Sequence, residues 1–205
     1  MMIRRILIVS DSHGRSQNIK RAIDKEFPDM LIHLGDLEDD PEVIRGWLDD
    51  AARTWNSLDQ EAAMKLRPQD QEATDYKISL PVPAVFIQGN CDRYYSGNGA
   101  NDLRQTAVFE LNDHRFFCTH GHRQGVSLGL ENLMYTAMEN DCDIALYGHT
   151  HVPFDDIFEG YEVTDSVRIL NPGSISVPRG GSSKGYMVMT FDDSGDYTVE
   201  LKKLR

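Results

Sequence analysis

Four apolar runs in this chain stop abruptly, and each stops at a polar motif of the same kind. Ile6-Leu7-Ile8-Val9 breaks into Ser10-Asp11-Ser12-His13-Gly14, and Met30 to Leu34 ends at Gly35-Asp36. Val82 to Gln88 ends at Gly89-Asn90-Cys91-Asp92, and Ile144 to Tyr147 at Gly148-His149-Thr150-His151. Short runs that are apolar on both faces suit strands of a parallel sheet covered on both sides. Ser16 is a candidate N-cap for a helix through about Phe27, and Pro41 starts a second helix through about Ala52. The β-loop-α-β order implies right-handed crossovers and a layered α/β fold. Its functional loops then gather at the C-terminal ends of the strands.

The remaining pattern is compatible with that class. Val108–Leu111 and Arg115–Thr119 read as a hairpin about Asn112-Asp113, and Leu128 to Asn140 has helical periodicity. Arg168-Ile169-Leu170, Gly185–Phe191 and Tyr197–Leu201 read as further strands, with Asp192-Asp193-Ser194-Gly195 turning between the last two. Residues 53–80 differ: they are polar, and Pro68 interrupts any single long helix. They are expected to form a helical surface insertion, too short and polar for a core of its own, within a single domain of 205 residues.

The formal charge is −12, from 21 Lys and Arg against 33 Asp and Glu. Non-specific binding to nucleic acid or an anionic membrane needs a basic field, so that class is excluded. Phosphate substrates are not, because bound dications reverse the sign locally. The opening apolar run is only four residues long, too short for a signal peptide or a membrane span. Cys91, Cys118 and Cys142 show no CxxC spacing and read as reduced thiols in a cytoplasm.

The motifs supply carboxylates, a carboxamide and imidazoles, a donor mixture that suits divalent first-row metals better than one structural zinc. Asp11 and His13 share one loop, and Asp36, after a glycine, has two oxygens able to bridge two ions. Asn90 offers a neutral oxygen, and His149 and His151 offer nitrogens. Thr119-His120-Gly121-His122 offers another nitrogen, and spacing alone does not choose between its two imidazoles. Two ions roughly 3.5–4 Å apart generate a hydroxide and clamp an in-line displacement at phosphorus, so the donor set points to a two-metal phosphoesterase.

The strings SDSHG (10–14), LGD (34–36), GNCD (89–92), THGH (119–122), YGHTH (147–151) and NPGS (171–174) together resemble the calcineurin-like metallophosphoesterase superfamily. Within it they resemble the small YfcE-type phosphodiesterases. The resemblance implies a layered β-sandwich flanked by helices, with the active site at the C-terminal strand ends. It implies one metal held by Asp11, His13, Asp36 and His151, and another by Asp36, Asn90, His120 and His149. Asp36, Asn90 and His120 are thereby also the expected catalytic residues. Attack by a metal-bridging hydroxide on a small phosphate diester is the implied reaction. Manganese is the expected ion, with iron, zinc, nickel or cobalt as alternatives. A phosphomonoesterase and a dinucleoside-polyphosphate hydrolase share that metal core and are the alternative activities.

The other alternative is a binding scaffold like the metallophosphoesterase-like subunit of retromer. Such scaffolds typically lose ligands, whereas every ligand position is kept here. Related proteins form dimers or tetramers. Many relatives carry a His at the place of Cys91, where it protonates the leaving oxygen. A thiol is a poor replacement acid, so the resemblance implies a preference for diesters or activated leaving groups. Arg93, Arg123 and Arg179 are candidates for pairing with substrate oxygens, and Asn171-Pro172-Gly173-Ser174 is expected to shape a rigid turn.

Overall fold

The computed structural model describes residues 3–67, 76–94, 102–159 and 166–204. In chain order the elements are β1 (Arg5–Val9), α1 (Gln17–Glu26), β2 (Met30–His33), α2 (Pro41–Ser57) and α3 (Gln60–Leu66). β3 (Ala84–Ile87), a 3-10 turn over Cys91–Tyr94, β4 (Leu103–Arg104), β5 (Thr106–Leu111) and β6 (His114–Thr119) follow. The chain closes with α4 (Glu131–Glu139), β7 (Ile144–Leu146), β8 (Pro153–Phe158), β9 (Val167–Pro172), β10 (Gly185–Phe191) and β11 (Tyr197–Lys203).

Two sheets form, with strand orders β11-β10-β1-β2-β3-β4 and β5-β6-β7-β9-β8. Alternation along the strands explains why the early runs are apolar on both faces. In β1, Ile6 and Ile8 enter the core between the sheets with Ile32, Phe116, Leu146 and Leu170. Leu7 and Val9 point the other way, into a second core with Ile19 and Ile23 of α1 and Ile44 and Leu48 of α2. In β7, Ile144 and Leu146 face the first core, while Ala145 packs outward on Leu133 and Ala137 of α4. The architecture is therefore helix, sheet, sheet, helix. A wholly buried residue such as Ile8 contributes roughly 2 kcal/mol of transfer free energy to it.

β1, β2 and β3 run parallel, in the registers Ile6↔Met30 and Leu31↔Ala84, so their C-terminal ends share one rim. The hairpin of β5 and β6 turns at Asn112-Asp113 as expected, both residues adopting positive φ. Elsewhere the boundaries differ from the sequence reading. Ser16 makes no side-chain cap to α1: its backbone is already helical, with φ −60° and ψ −20°, and its hydroxyl donates to Asp39. α4 begins at Glu131 rather than Leu128. β4 and β8 were not anticipated: β4 has only two residues, and β8 carries acidic residues on an edge.

The stretch expected to start an insertion is instead the end of α2. Trp55 is buried against Phe27, with ring centroids 5.7 Å apart, and Arg67 stacks 4.0 Å over its indole. Ile78 completes the same core, so both ends of this polar segment are packed. Pro68 and the rest of 68–75 lie outside the described residues. Among the described residues no helix is long and apolar enough to cross a membrane.

Candidate metal centre

The loops leaving β1, β2, β3, β6 and β7 converge on one rim. They bring Asp11, His13, Asp36, Asn90, His120, His149 and His151 together. His151 Nε2 lies 3.1 Å from Asp11 Oδ1, and His13 Nε2 lies 3.4 Å from His151 Nε2. Asp36 Oδ2 sits between two imidazoles, 3.8 Å from His13 Nε2 and 3.5 Å from His120 Nε2. Asn90 Oδ1 is 3.2 Å from His120 Nε2. His149 stands edge-on to His120 with ring centroids 5.1 Å apart, and its backbone N–H donates to Asp11 Oδ2 at 3.1 Å. His122 is next in line, its ring 5.3 Å from His120.

The hydrogen bonds on the far side of each ring decide what the near side can do. His120 Nδ1 donates to Leu34 O at 2.7 Å, His151 Nδ1 to Val177 O at 2.5 Å, and His13 Nδ1 to Glu38 Oε1 at 2.8 Å. Each partner only accepts, so each proton sits on Nδ1. In the neutral ring Nε2 is then a bare lone pair. Three such lone pairs face two carboxylates and a carboxamide oxygen across 3.1–3.8 Å, acceptor against acceptor. Among the described residues, buried Asp11 Oδ1 has no partner that donates to it while His151 Nε2, 3.1 Å away, is unprotonated.

Such an arrangement is repulsive unless something positive stands in its midst. Protons are one answer. His120 is held above the ordinary imidazole value: burial opposes its charge, but the bond to Asp36 and the field of both carboxylates outweigh it. Asp11 likewise raises His151. Divalent cations are the other answer, and the neutral donors oriented from behind by carbonyl and carboxylate oxygens fit them. Two overlapping groups have the required proximity, Asp11 with His13 and His151, and Asp11 with Asp36 and His120.

The scaffold around these donors is closely specified. Gly89 approaches Asp36 so tightly that a Cβ there would strike its carboxylate. Asp92, the last residue of the GNCD motif, grips the loop after β2. Its Oδ2 accepts from Asp36 N (2.9 Å) and Gly89 N (2.7 Å), and its Oδ1 from Glu38 N (2.9 Å). Cys91 N–H donates to Asp36 Oδ1 at 2.8 Å, leaving Oδ2 for the centre. Asn90 Nδ2 donates to Cys91 Sγ at 3.2 Å, which turns its oxygen toward His120. Burial and the Asp36 and Glu38 carboxylates push the Cys91 thiol up to about 12, so it is neither a nucleophile nor an efficient acid at neutral pH.

The turn after β9 behaves as expected. Asn171 Nδ2 donates to Gly148 O and Thr150 Oγ1, and Ser174 Oγ to Asp11 O, fastening the His149–His151 and Asp11 loops. Of the three candidate arginines, Arg179 bonds through its backbone to His151 O and opposes that ring's protonation. Arg123 is instead paired with Gln105, and the side chain of Arg93 lies outside the described residues. The roles of Glu38 and Asp92 escaped the sequence reading because a carboxylate that orients a ligand has no spacing signature of its own.

Comparison with known proteins points the same way. Residues 62–194 match the calcineurin-like phosphoesterase superfamily domain. The chain is 37% identical over 194 residues to the phosphodiesterase YfcE of Escherichia coli, covering 92% of this chain and 88% of that one. Among solved structures, a predicted phosphoesterase of Streptococcus pneumoniae is similar with a TM-score of 0.64 and 26% identity, covering 99% of this chain and 91% of the other. Vacuolar protein sorting 29 of Cryptosporidium parvum shares the fold, with a TM-score of 0.58 and 14% identity over 98% of both chains.

Proposed function

The chain belongs to the calcineurin-like phosphoesterase superfamily, and on that premise we propose that it is a phosphodiesterase working with two divalent cations. The observation that carries this reading is the set of three Nδ1-protonated imidazoles whose Nε2 lone pairs face carboxylate and carboxamide oxygens. Asp11, His13, Asp36 and His151 would hold one cation, and Asp36, Asn90, His120 and His149 the other. Manganese is the proposed ion. When bound, such a pair supplies an activated water and charge neutralisation at phosphorus.

The residues themselves perform the rest. Asp36, pinned at Oδ1 by Cys91 N–H, presents Oδ2 midway between His13 and His120 and so joins the two halves of the centre. Burial opposes its ionisation, yet His120 and the Cys91 N–H hold its carboxyl well below the usual range, so it stays ionised throughout neutral pH. Leu34 O, Val177 O and Glu38 keep three imidazoles in a single tautomer, and no reorganisation is needed when substrate arrives. Cys91 beside Asn90 supplies no efficient proton donor for a leaving oxygen, which favours diesters with good leaving groups over alkyl monoesters. The 37% identical relative is itself named a phosphodiesterase.

The test is hydrolysis of bis-p-nitrophenyl phosphate and p-nitrophenyl phosphate by metal-stripped protein titrated with manganese, with Asn90→Ala in parallel. Metal-dependent cleavage favouring the diester and falling at least about 100-fold in the variant is expected. Absence of cleavage with every first-row metal would reject the proposal in favour of a binding scaffold.

A further inference from the structure

A third group of metal-ligating side chains adjoins the centre and shares one residue, His13, with it. His13, the exposed Glu38 and the half-buried Cys91 bring one ligand atom each within 4.8 Å of one another. A tetrahedral zinc with bonds of roughly 2.0–2.3 Å separates its ligands by about 3.4–3.8 Å, so small side-chain movements close the group. The thiol faces both the Glu38 and Asp36 carboxylates, a local field that attracts a cation. The group opens to solvent at Glu38, which is exposed.

We propose that His13, Glu38 and Cys91 form a second, inhibitory site, overlapping the hydrolytic centre at His13, for a thiophilic divalent cation such as zinc or cadmium. Soft thiolate selects these ions over manganese or magnesium, so the site discriminates by chemistry rather than by charge. Binding releases the Cys91 proton to solvent and forms the sulfur–metal bond. The hydrogen bond from His13 Nδ1 to Glu38 breaks, and Nδ1 becomes the ligand atom. Its proton passes through solvent to Nε2, keeping the imidazole neutral.

That transfer is the source of inhibition. A neutral imidazole has one lone pair, and His13 serves either Asp11 and His151 through Nε2 or Glu38 and Cys91 through Nδ1. Occupation of the outer group withdraws a ligand from the hydrolytic one. The cation binding stands on the outer cluster alone, whereas the inhibition rests on the hydrolytic role proposed above.

Manganese-loaded, full-length protein titrated with cadmium tests both parts, read by thiolate-to-cadmium ultraviolet absorption and by diester hydrolysis. One cadmium beyond the manganese complement is expected to produce the absorption band while activity falls in step. Cys91→Ser should lose the band and shift half-inhibition, relative to its own uninhibited rate, by at least about tenfold. Glu38→Gln should keep the band but weaken cadmium binding, and it decides the matter if Cys91→Ser fails to fold. The proposal is overturned if wild type shows no band, if Cys91→Ser retains it through Cys118 or Cys142, or if Glu38→Gln binds cadmium as tightly as wild type. Equal inhibition of wild type and Cys91→Ser would also overturn it. A protein that shows the band but hydrolyses nothing with any metal refutes the hydrolytic reading and leaves the outer site standing.

Discussion

Asp92 offers the sharpest test of how the centre is held, because its effect is separable from activity. Its side chain is buried, and its two oxygens satisfy three backbone N–H groups, those of Asp36, Gly89 and Glu38. Asp92→Asn preserves volume and one accepting oxygen. The amide can keep the pair from Asp36 and Gly89 but then turns its NH2 against Glu38 N–H. Bonds to a charged acceptor are worth about 1.5–3 kcal/mol and neutral ones about 0.5–1.5, so the two retained bonds lose about 1 kcal/mol each. The N–H left without a partner adds about 1–2 kcal/mol, for a total of about 3–4. Against a typical stability of about 5–15 kcal/mol this is a large fraction. For a chain of 205 residues it lowers Tm by roughly 6–16 °C. Urea unfolding of metal-free protein measures it directly, with an unchanged m-value as the sign that only stability moved. A loss below about 1 kcal/mol would refute the assignment of Asp92 as the anchor of the Asp36 loop.

Other outcomes follow from the same contacts. Since the carboxylates hold His120 and His151 above the ordinary imidazole value, protons compete with manganese, and its affinity should rise with pH through neutrality with proton release on binding. Calorimetry in buffers of different ionisation enthalpy checks this, and binding without proton release would contradict it. His33 is buried and depressed to about 4, chiefly by burial, so the unfolded chain binds the extra proton first and stability falls as pH drops from 6.5 toward 4. The loss is on the order of 3 kcal/mol, and His33→Gln, which cannot titrate, should flatten that part of the pH–stability curve. Cys91→His should raise turnover on substrates with poor leaving groups while leaving p-nitrophenyl diesters little changed; unaltered selectivity would exclude a leaving-group role for this position.

The legible part of the fold was the part written in strand-length apolar runs. β1, β2, β3 and β7 are apolar on both faces because two cores flank their sheets, and that pattern leaves little else for them to be. The polar segment after Ala52 is helical and superficial at α3, as its composition suggests, but its packed ends leave no local signal because its few apolar residues are far apart. Trp55 and Ile78 meet in one core only after the chain has turned between them, and no local period records that. β8 was hidden for a related reason: its acidic edge lacks strand alternation, and pairing with β9 supplies what propensity does not. In the centre, residue types at strand ends pointed to the donors, whereas Glu38 and Asp92 emerge only from what they touch.

Backbone conformation joins these two lessons. Asp11, His13, Asp36, Glu38, His149 and His151 all adopt positive φ, between 47° and 68°. This left-handed region costs an ordinary L-residue roughly 1–2 kcal/mol, though Asp and His tolerate it better than most. Five of these six residues are Asp or His, so the donor chemistry and the tolerance of the turn coincide in the same side chains. The turns persist because their surroundings over-determine them. Ser174 holds Asp11 O, Asn171 holds the loop around Thr150, and Asp92 holds Asp36 and Glu38. The positive φ at alternate positions in each short loop, 11 and 13, 36 and 38, 149 and 151, aims pairs of side chains at one rim. A cation that relieves the facing lone pairs should therefore stabilise these loops before it stabilises the cores, and hydrogen exchange on metal addition should slow there first. Uniform slowing across β1, β7 and β10 instead would mean that the centre and the cores unfold as one unit.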